Sequence, residues 1–122
     1  MRTVKRTDTI AEWIEGLDVN TIEAILKNLI ILKEIGPSLG RPYVDTVKNS
    51  RHKNMKELRV QCKKKVIRIL FAFDPHRDII LLVGDDKRGQ RELYKTIIQR
   101  ADDLLDEHLE NIRKANETDK KG

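Results

Sequence analysis

Arg68 stands in the middle of the apolar run VIRILFAF, residues 66–73, where every neighbour suits a protein core. Strand alternation puts it on one face with Val66, Leu70 and Ala72, opposite Ile67, Ile69, Phe71 and Phe73. A charge at such a position needs an internal carboxylate, from Glu57 or an aspartate, or else an open sheet face. On an open face its planar guanidinium matches the geometry of a phosphate. A second set of cations follows in DDKRGQRELYK, where Lys87, Arg88, Arg91 and Lys95 leave a strand end and enter a helix with Tyr94 among them. If Gly89 or Gln90 starts that helix, Arg91, Tyr94 and Lys95 share one side, and the free N–H groups of the first turn add affinity for an anion. A basic lead-in to a helix also serves solubility alone. Asp85 and Asp86 have no assigned work beyond capping the turn or orienting Arg88. Arg51, His52, Lys53 and Lys56, with Arg59 on the same strand face as Glu57, form a second cationic wall, and a phosphate-rich strand fits between the two.

Other chemistries lack their parts. The sequence has no Walker loop, no dinucleotide fingerprint and no HExxH. His52, His76 and His108 fall in three separate segments and are better read as surface or turn histidines than as one metal site. Ser38 and Ser50 lie in loops without the histidine and acid of a hydrolase triad. Asp102, Asp103, Asp106 and Glu107 read as a solvated helix face balanced by Lys95, Arg100 and Arg113. The single cysteine, Cys62, makes no internal disulfide and no cysteine-based metal site, so nothing demands an oxidising compartment. Cytoplasm is the expected location, because MRTVKRTDTI lacks a secretory apolar stretch and the longest apolar runs are too short for a bilayer.

The elements that must position these residues fit one domain, since 122 residues can bury a single core. A net charge of +5 points to an anionic partner without choosing which. Thr3 to Lys5 predicts a short edge strand. Asp8 or Thr9 caps a helix carrying Ile10, Trp13, Ile14 and Leu17, and Asn20 or Thr21 caps a second with an apolar stripe from Ile22 to Ile35. Gly36-Pro37 ends it. Ser38 to Lys56 reads as loop. Glu57–Cys62, Val66–Phe73 and Ile79–Val83 alternate as three strands with connections too short for parallel crossovers, hence an antiparallel meander. A final amphipathic helix runs to about Lys114, making residues 1–114 the domain and 115–122 a frayed tail. The fold class is α+β: the meander plus the N-terminal edge strand, packed by two N-terminal helices and one C-terminal helix.

Order and residues together resemble the RelE/ParE superfamily of toxin–antitoxin toxins, in particular its phage-derived HigB-like branch. The carrying pieces are LGRPYVDTVKNSRHKNMKELRV, VIRILFAFDPHRDIILLVGDDKRGQRELYK and ADDLLDEHL, within Val4 to Leu109. The resemblance implies a type II toxin with a RelE-like fold. It further implies a metal-independent, cofactor-free endoribonuclease that cuts messenger RNA at the ribosome, the 2′-hydroxyl attacking the adjacent phosphate. Carried over, Arg68 braces the scissile phosphate, Arg88 is the arginine after the last strand, and Tyr94 is the tyrosine early in the final helix. Lys56 and His52 stand near the family's basic residues before the meander. Glu57 replaces a cation found in relatives, which leaves Tyr94 or His52 as proton acceptor. Lys53, Lys56, Arg59, Lys87, Arg91 and Lys95 would contact the RNA backbone. The implied partners are a cognate antitoxin of helix-turn-helix type, messenger RNA with the ribosome, and operator DNA only through the antitoxin complex; no membrane is involved. The same fold also serves ParE-like inhibitors of DNA gyrase without a nuclease site, and a vestigial prophage protein that only binds its antitoxin is a third possibility.

Overall fold

The computed structural model describes residues 2–86 and 91–121, with side chains as far as residue 117. Along the chain these are β1 (Val4–Arg6), α1 (Asp8–Glu15), α2 (Val19–Ile35), β2 (Val44–Thr46), β3 (Lys56–Cys62), β4 (Lys65–Phe73), β5 (Ile79–Asp85) and α3 (Arg91–Lys121). The strands make one mixed sheet in the order β1-β5-β4-β3-β2. β3, β4 and β5 are the expected antiparallel meander, and β1 adds at the edge, parallel to β5. The α+β class and the three-helix complement agree with the sequence.

Several local readings are corrected. The cap of α1 is Thr7 rather than Asp8 or Thr9: its hydroxyl accepts from the Ile10 N–H and donates to the Leu82 carbonyl, so the bend from strand to helix is anchored there. The cap of α2 is Asp18 rather than Asn20 or Thr21, its carboxylate accepting from the Thr21 N–H at 2.7 Å. The segment read wholly as loop contains β2, three residues paired antiparallel with Lys56–Leu58. Only Val44 of the three is apolar, too little for a pattern to show. α3 continues to Lys121, past the expected end, where Arg113 links to Glu110 and Glu117 along the solvent face. The end of α2 is as expected: Gly36 takes a φ of 76° and donates to the Leu32 carbonyl, with Pro37 behind it.

Each sheet face has its own core. Leu58, Val60, Ile67, Ile69, Phe71 and Leu81 pack on α1 and α2 through Ile10, Ile25, Leu29 and Leu32. Leu70, Ala72, Ile80, Leu82 and Val83 pack on α3 through Ile98, Ala101 and Leu105. Strict alternation in β5 breaks at Leu82 and Val83, which both face α3, because the pairing with β4 shifts by one residue: Phe71 opposes Leu81, whereas Leu70 opposes Val83. Beyond the shift, Ile69 opposes Gly84 and Arg68 opposes Asp85. Gly84 therefore turns toward α1, so closely that an added Cβ would lie 2.3 Å from the Trp13 ring.

The turn between β4 and β5 is built on Asp74, whose side chain is fully buried. One carboxylate oxygen accepts from the His76 and Asp78 N–H groups; the other takes Lys5 at 3.0 Å and His108 of α3 at 2.9 Å. Burial pushes this carboxyl up, but the bonds from His108, Lys5 and the Asp78 N–H outweigh it and hold the group at about 2.

Two outcomes follow from these contacts. Gly84→Ala is expected to destabilise the fold by about 1–3 kcal/mol in urea titration, as overpacking against a rigid indole does. Since Asp74 is held below its ordinary 3.8, its contribution is present at neutral pH and disappears as pH falls from about 4 toward 2. Asp74→Asn should lose on the order of 2 kcal/mol at pH 7 and show a shallower decline of stability across that acid window.

Candidate functional site

α3 covers the half of its sheet face near Leu70, Ala72 and Ile80, and leaves the other half under its first turns. There Arg68, on the central strand, projects beside Asp85 of β5 with Nη2 2.7 Å from Oδ2. The alternative of an internal aspartate partner is thus realised by Asp85, and the guanidinium keeps one-fifth of its side-chain surface open. Tyr94, from the first turns of α3, lays its ring over the same guanidinium, 4.4 Å from ring centre to Cζ, a contact worth about 0.5–2 kcal/mol. The Tyr94 hydroxyl donates to Glu57 Oε1, and Glu57 Oε2 lies 3.4 Å from Nε of Arg59. Glu57 and Asp85 are buried, as charges in a sheet are when each is paired.

Burial pushes the Tyr94 hydroxyl well above the ordinary phenol value, and the Glu57 hydrogen bond and negative charge push it further. The phenol therefore holds its proton at neutral pH and acts as a donor. The acceptor in the cluster is the Glu57 carboxylate. Glu57 escaped assignment as a site residue, although alternation places it on the same face as Arg59 and Arg68, and a carboxylate on a half-buried strand face is the signal that could have singled it out.

The other expected residues divide. Arg91 and Lys95 flank Tyr94 and line a groove completed by Arg41, Asp45, Lys48 and Asn49 from the segment around β2. Arg41 and Lys48 went unnoticed because that segment has no periodicity. Arg59 belongs to the cluster itself. Lys56 alternates to the face opposite Glu57. His52 is held elsewhere: its Nε2 lies 2.7 Å from Asp106 Oδ1, twelve residues beyond Tyr94 and so about 18 Å farther along the helix. Lys53, in the same loop, is exposed. Lys87 and Arg88 lie outside the described residues.

The acidic group on α3 is corrected at one position: Asp103, Asp106 and Glu107 are exposed, as a solvated face requires, whereas Asp102 serves as a latch. Asp102 is buried, accepting from the Ser50 hydroxyl and the Arg51 N–H, while the Arg51 guanidinium reaches Asp103 at 3.0 Å and Asp106 at 2.5 Å. The group is thus met by the Arg51 guanidinium and the His52 ring; Lys95 pairs with Glu92, Arg113 with Glu110 and Glu117, and Arg100 donates to Thr9. Positions 102, 103 and 106 fall on neighbouring rows of one helix side, which the loop crosses.

A family model described as phage-derived protein Gp49-like matches residues 12–106. The chain is 46% identical over 104 residues to "Putative toxin HigB2" of Mycobacterium tuberculosis, covering 84% of this chain and 52% of that protein. It thus spans about half the length of that relative. It is 43% identical over 94 residues to "Putative toxin HigB3" of the same organism, covering 76% of this chain and 81% of the relative. No solved structure matches the chain.

The protonation of Tyr94 is directly measurable. In a Tyr43→Phe background Tyr94 is the one remaining tyrosine, and its ultraviolet titration should lie well above the ordinary value of about 10. Adding Glu57→Gln removes the carboxylate that disfavours the phenolate and should move the titration down; an unchanged curve would disconnect the two groups.

Proposed function

The chain belongs to the phage-derived Gp49-like protein family, and on that premise we propose that it is the toxin of a type II toxin–antitoxin system. In this reading it is a metal-independent endoribonuclease that cuts messenger RNA on the ribosome in the cytoplasm. The observation that carries the reading is the cluster itself, in which a cation, a carboxylate and a protonated phenol meet under the first turns of α3, with the Arg68 side chain one-fifth exposed. Cleavage by the ribose 2′-hydroxyl needs a proton acceptor and positive charge beside a phosphate that gains negative charge in the transition state. Glu57 supplies the acceptor, its carboxylate oriented by Tyr94 and Arg59. Arg68 supplies charge and a planar pair of donors for the phosphate oxygens. The attacking hydroxyl transfers its proton to Glu57 as the new oxygen–phosphorus bond forms and the bond to the 5′-oxygen breaks, leaving a 2′,3′-cyclic phosphate and a 5′-hydroxyl that takes its proton from water. Arg88 keeps the catalytic role implied by the family resemblance.

A cognate antitoxin of helix-turn-helix type is the partner that would restrain such an enzyme, and operator DNA would be reached only through that complex. Among the described residues no helix is long and apolar enough to cross a membrane. One observation favours a second reading, a non-catalytic toxin of the gyrase-inhibiting kind or a protein that only binds its antitoxin: Asp85 already neutralises Arg68, so a phosphate must compete with it.

Expression of the chain alone decides between them. The nuclease reading expects growth arrest with loss of intact messenger RNA, and relief by folded Arg68→Ala and Glu57→Gln variants. In vitro cleavage should fall at least about 100-fold in each. Arrest with intact RNA and altered plasmid supercoiling would support the gyrase reading, and well-folded protein without toxicity the antitoxin-only one.

A further inference from the structure

Beside the cluster, on the side away from α3, lies a shallow hollow lined by Asn28, Pro42, Tyr43, Arg59, Gln61 and Val66. It exists because β2 is short. β2 covers β3 only from Lys56 to Leu58; at Arg59 the chain entering β2 and Asn28 of α2 take the outward backbone groups, and from Gln61 the strand edge has no strand beside it. Tyr43 sits at that entry with its backbone tied on both sides: its N–H donates to the Gly40 carbonyl at 3.1 Å, and its carbonyl accepts from the Arg59 N–H at 2.8 Å. Of the five aromatic side chains in the sequence, Tyr43 alone is exposed, at 37%.

The hollow adjoins the cluster. Arg59 lines it and also contacts Glu57, and in the strand register Arg59 stands directly opposite Arg68. Gln61 stands opposite Val66, which floors the hollow with an apolar side chain next to an amide. The Gln61 side chain makes no hydrogen bond among the described residues, and the Asn28 amide donates to the Arg59 carbonyl, leaving its own oxygen free to accept. A rigid exposed ring, an apolar floor, a guanidinium and two amides with unused capacity are the components that hold an unstacked nucleobase: the ring and guanidinium face its π-surface, and the amides address its edge.

We propose that this hollow receives the base of a nucleotide flanking the phosphate held at Arg68, with Tyr43 as the stacking platform and Gln61 as the residue that discriminates among bases. The proposal rests on the reading of the chain as an RNA-cleaving toxin and adds a binding site outside the reacting groups. Arg59, on the near wall of the hollow, is one strand spacing from Arg68, about 4.8 Å, and Tyr43 lies a second spacing beyond it, together the scale of a step from a phosphate to a neighbouring base.

The test uses the full chain and a short single-stranded RNA carrying 2′-deoxy substitutions so that it is not cut. Binding is followed by fluorescence anisotropy for each of four oligonucleotides differing at one position, with cleavage of the all-ribose versions measured in parallel. Tyr43→Ala is expected to weaken binding about 10-fold with its salt dependence unchanged, since a stacked base and not a phosphate contact is lost. Tyr43→Phe should bind like the wild type, which also guards against a folding artefact. Gln61→Ala should flatten the preference among the four oligonucleotides with little loss for the weakest. Wild-type cleavage together with unaltered binding and preference in Tyr43→Ala and Gln61→Ala overturns the base site and leaves the nuclease reading standing. Binding that depends on Tyr43 without cleavage supports the site and overturns the nuclease. A wild type that neither binds nor cuts RNA overturns both.

Discussion

A cation on the central strand of a five-stranded sheet must be neutralised where it stands, and the rest of the site depends on how that is done. The Arg68–Asp85 pair exists only because β4 and β5 slip by one residue between Leu70 and Phe71. Without the slip, Arg68 would oppose Gly84, and Asp85 would point at the face packed by α1 and α2. With it, Gly84 meets Trp13 at a separation no other residue permits, and Asp85 arrives beside the arginine. One irregularity thus fixes both the packing of α1 and the electrostatics of the opposite face.

The same face needs α3 held at a constant angle, because Tyr94 touches Arg68 and Glu57 from its first turns. Two buried carboxylates provide this at separate points. Asp102 fastens the helix to the loop before β3, and Asp74 fastens His108 to the turn after β4. Between them Ile98, Ala101 and Leu105 fill the apolar contact. The helix is therefore positioned by polar contacts whose geometry is directional as well as by a core that is not.

Most of this scaffold was legible in the sequence because it repeats: period two in the meander, three-and-four spacing in the helices, a glycine and proline stop at residues 36 and 37. What was not legible is what breaks period. β2 is three residues with one apolar side chain. The register slip leaves no mark in the order of Ile79 to Asp85, so counting alternate residues assigns Asp85 to the wrong face. The caps fall one to three residues earlier than expected, because Thr7 and Asp18 are chosen by tertiary contacts and backbone bends. For the site, Arg68 and Tyr94 are brought together as their types suggested. His52 is drawn away by a carboxylate far along α3, and Glu57, marked by alternation as a carboxylate on a half-buried face, gains its central position from the pairing of β3 with β4.

The hairpin end of the sheet has a consequence of a different kind. From Gln61 to Cys62 the outer edge of β3 has no strand beside it, and an open edge invites another chain to add to it. The three lysines at the tip, Lys63 to Lys65, stand where a second copy added in parallel would align its own. Two such tips set side by side in a parallel pairing bring like charges into close range, so the run that reads in the sequence as a simple turn also disfavours that mode of edge addition.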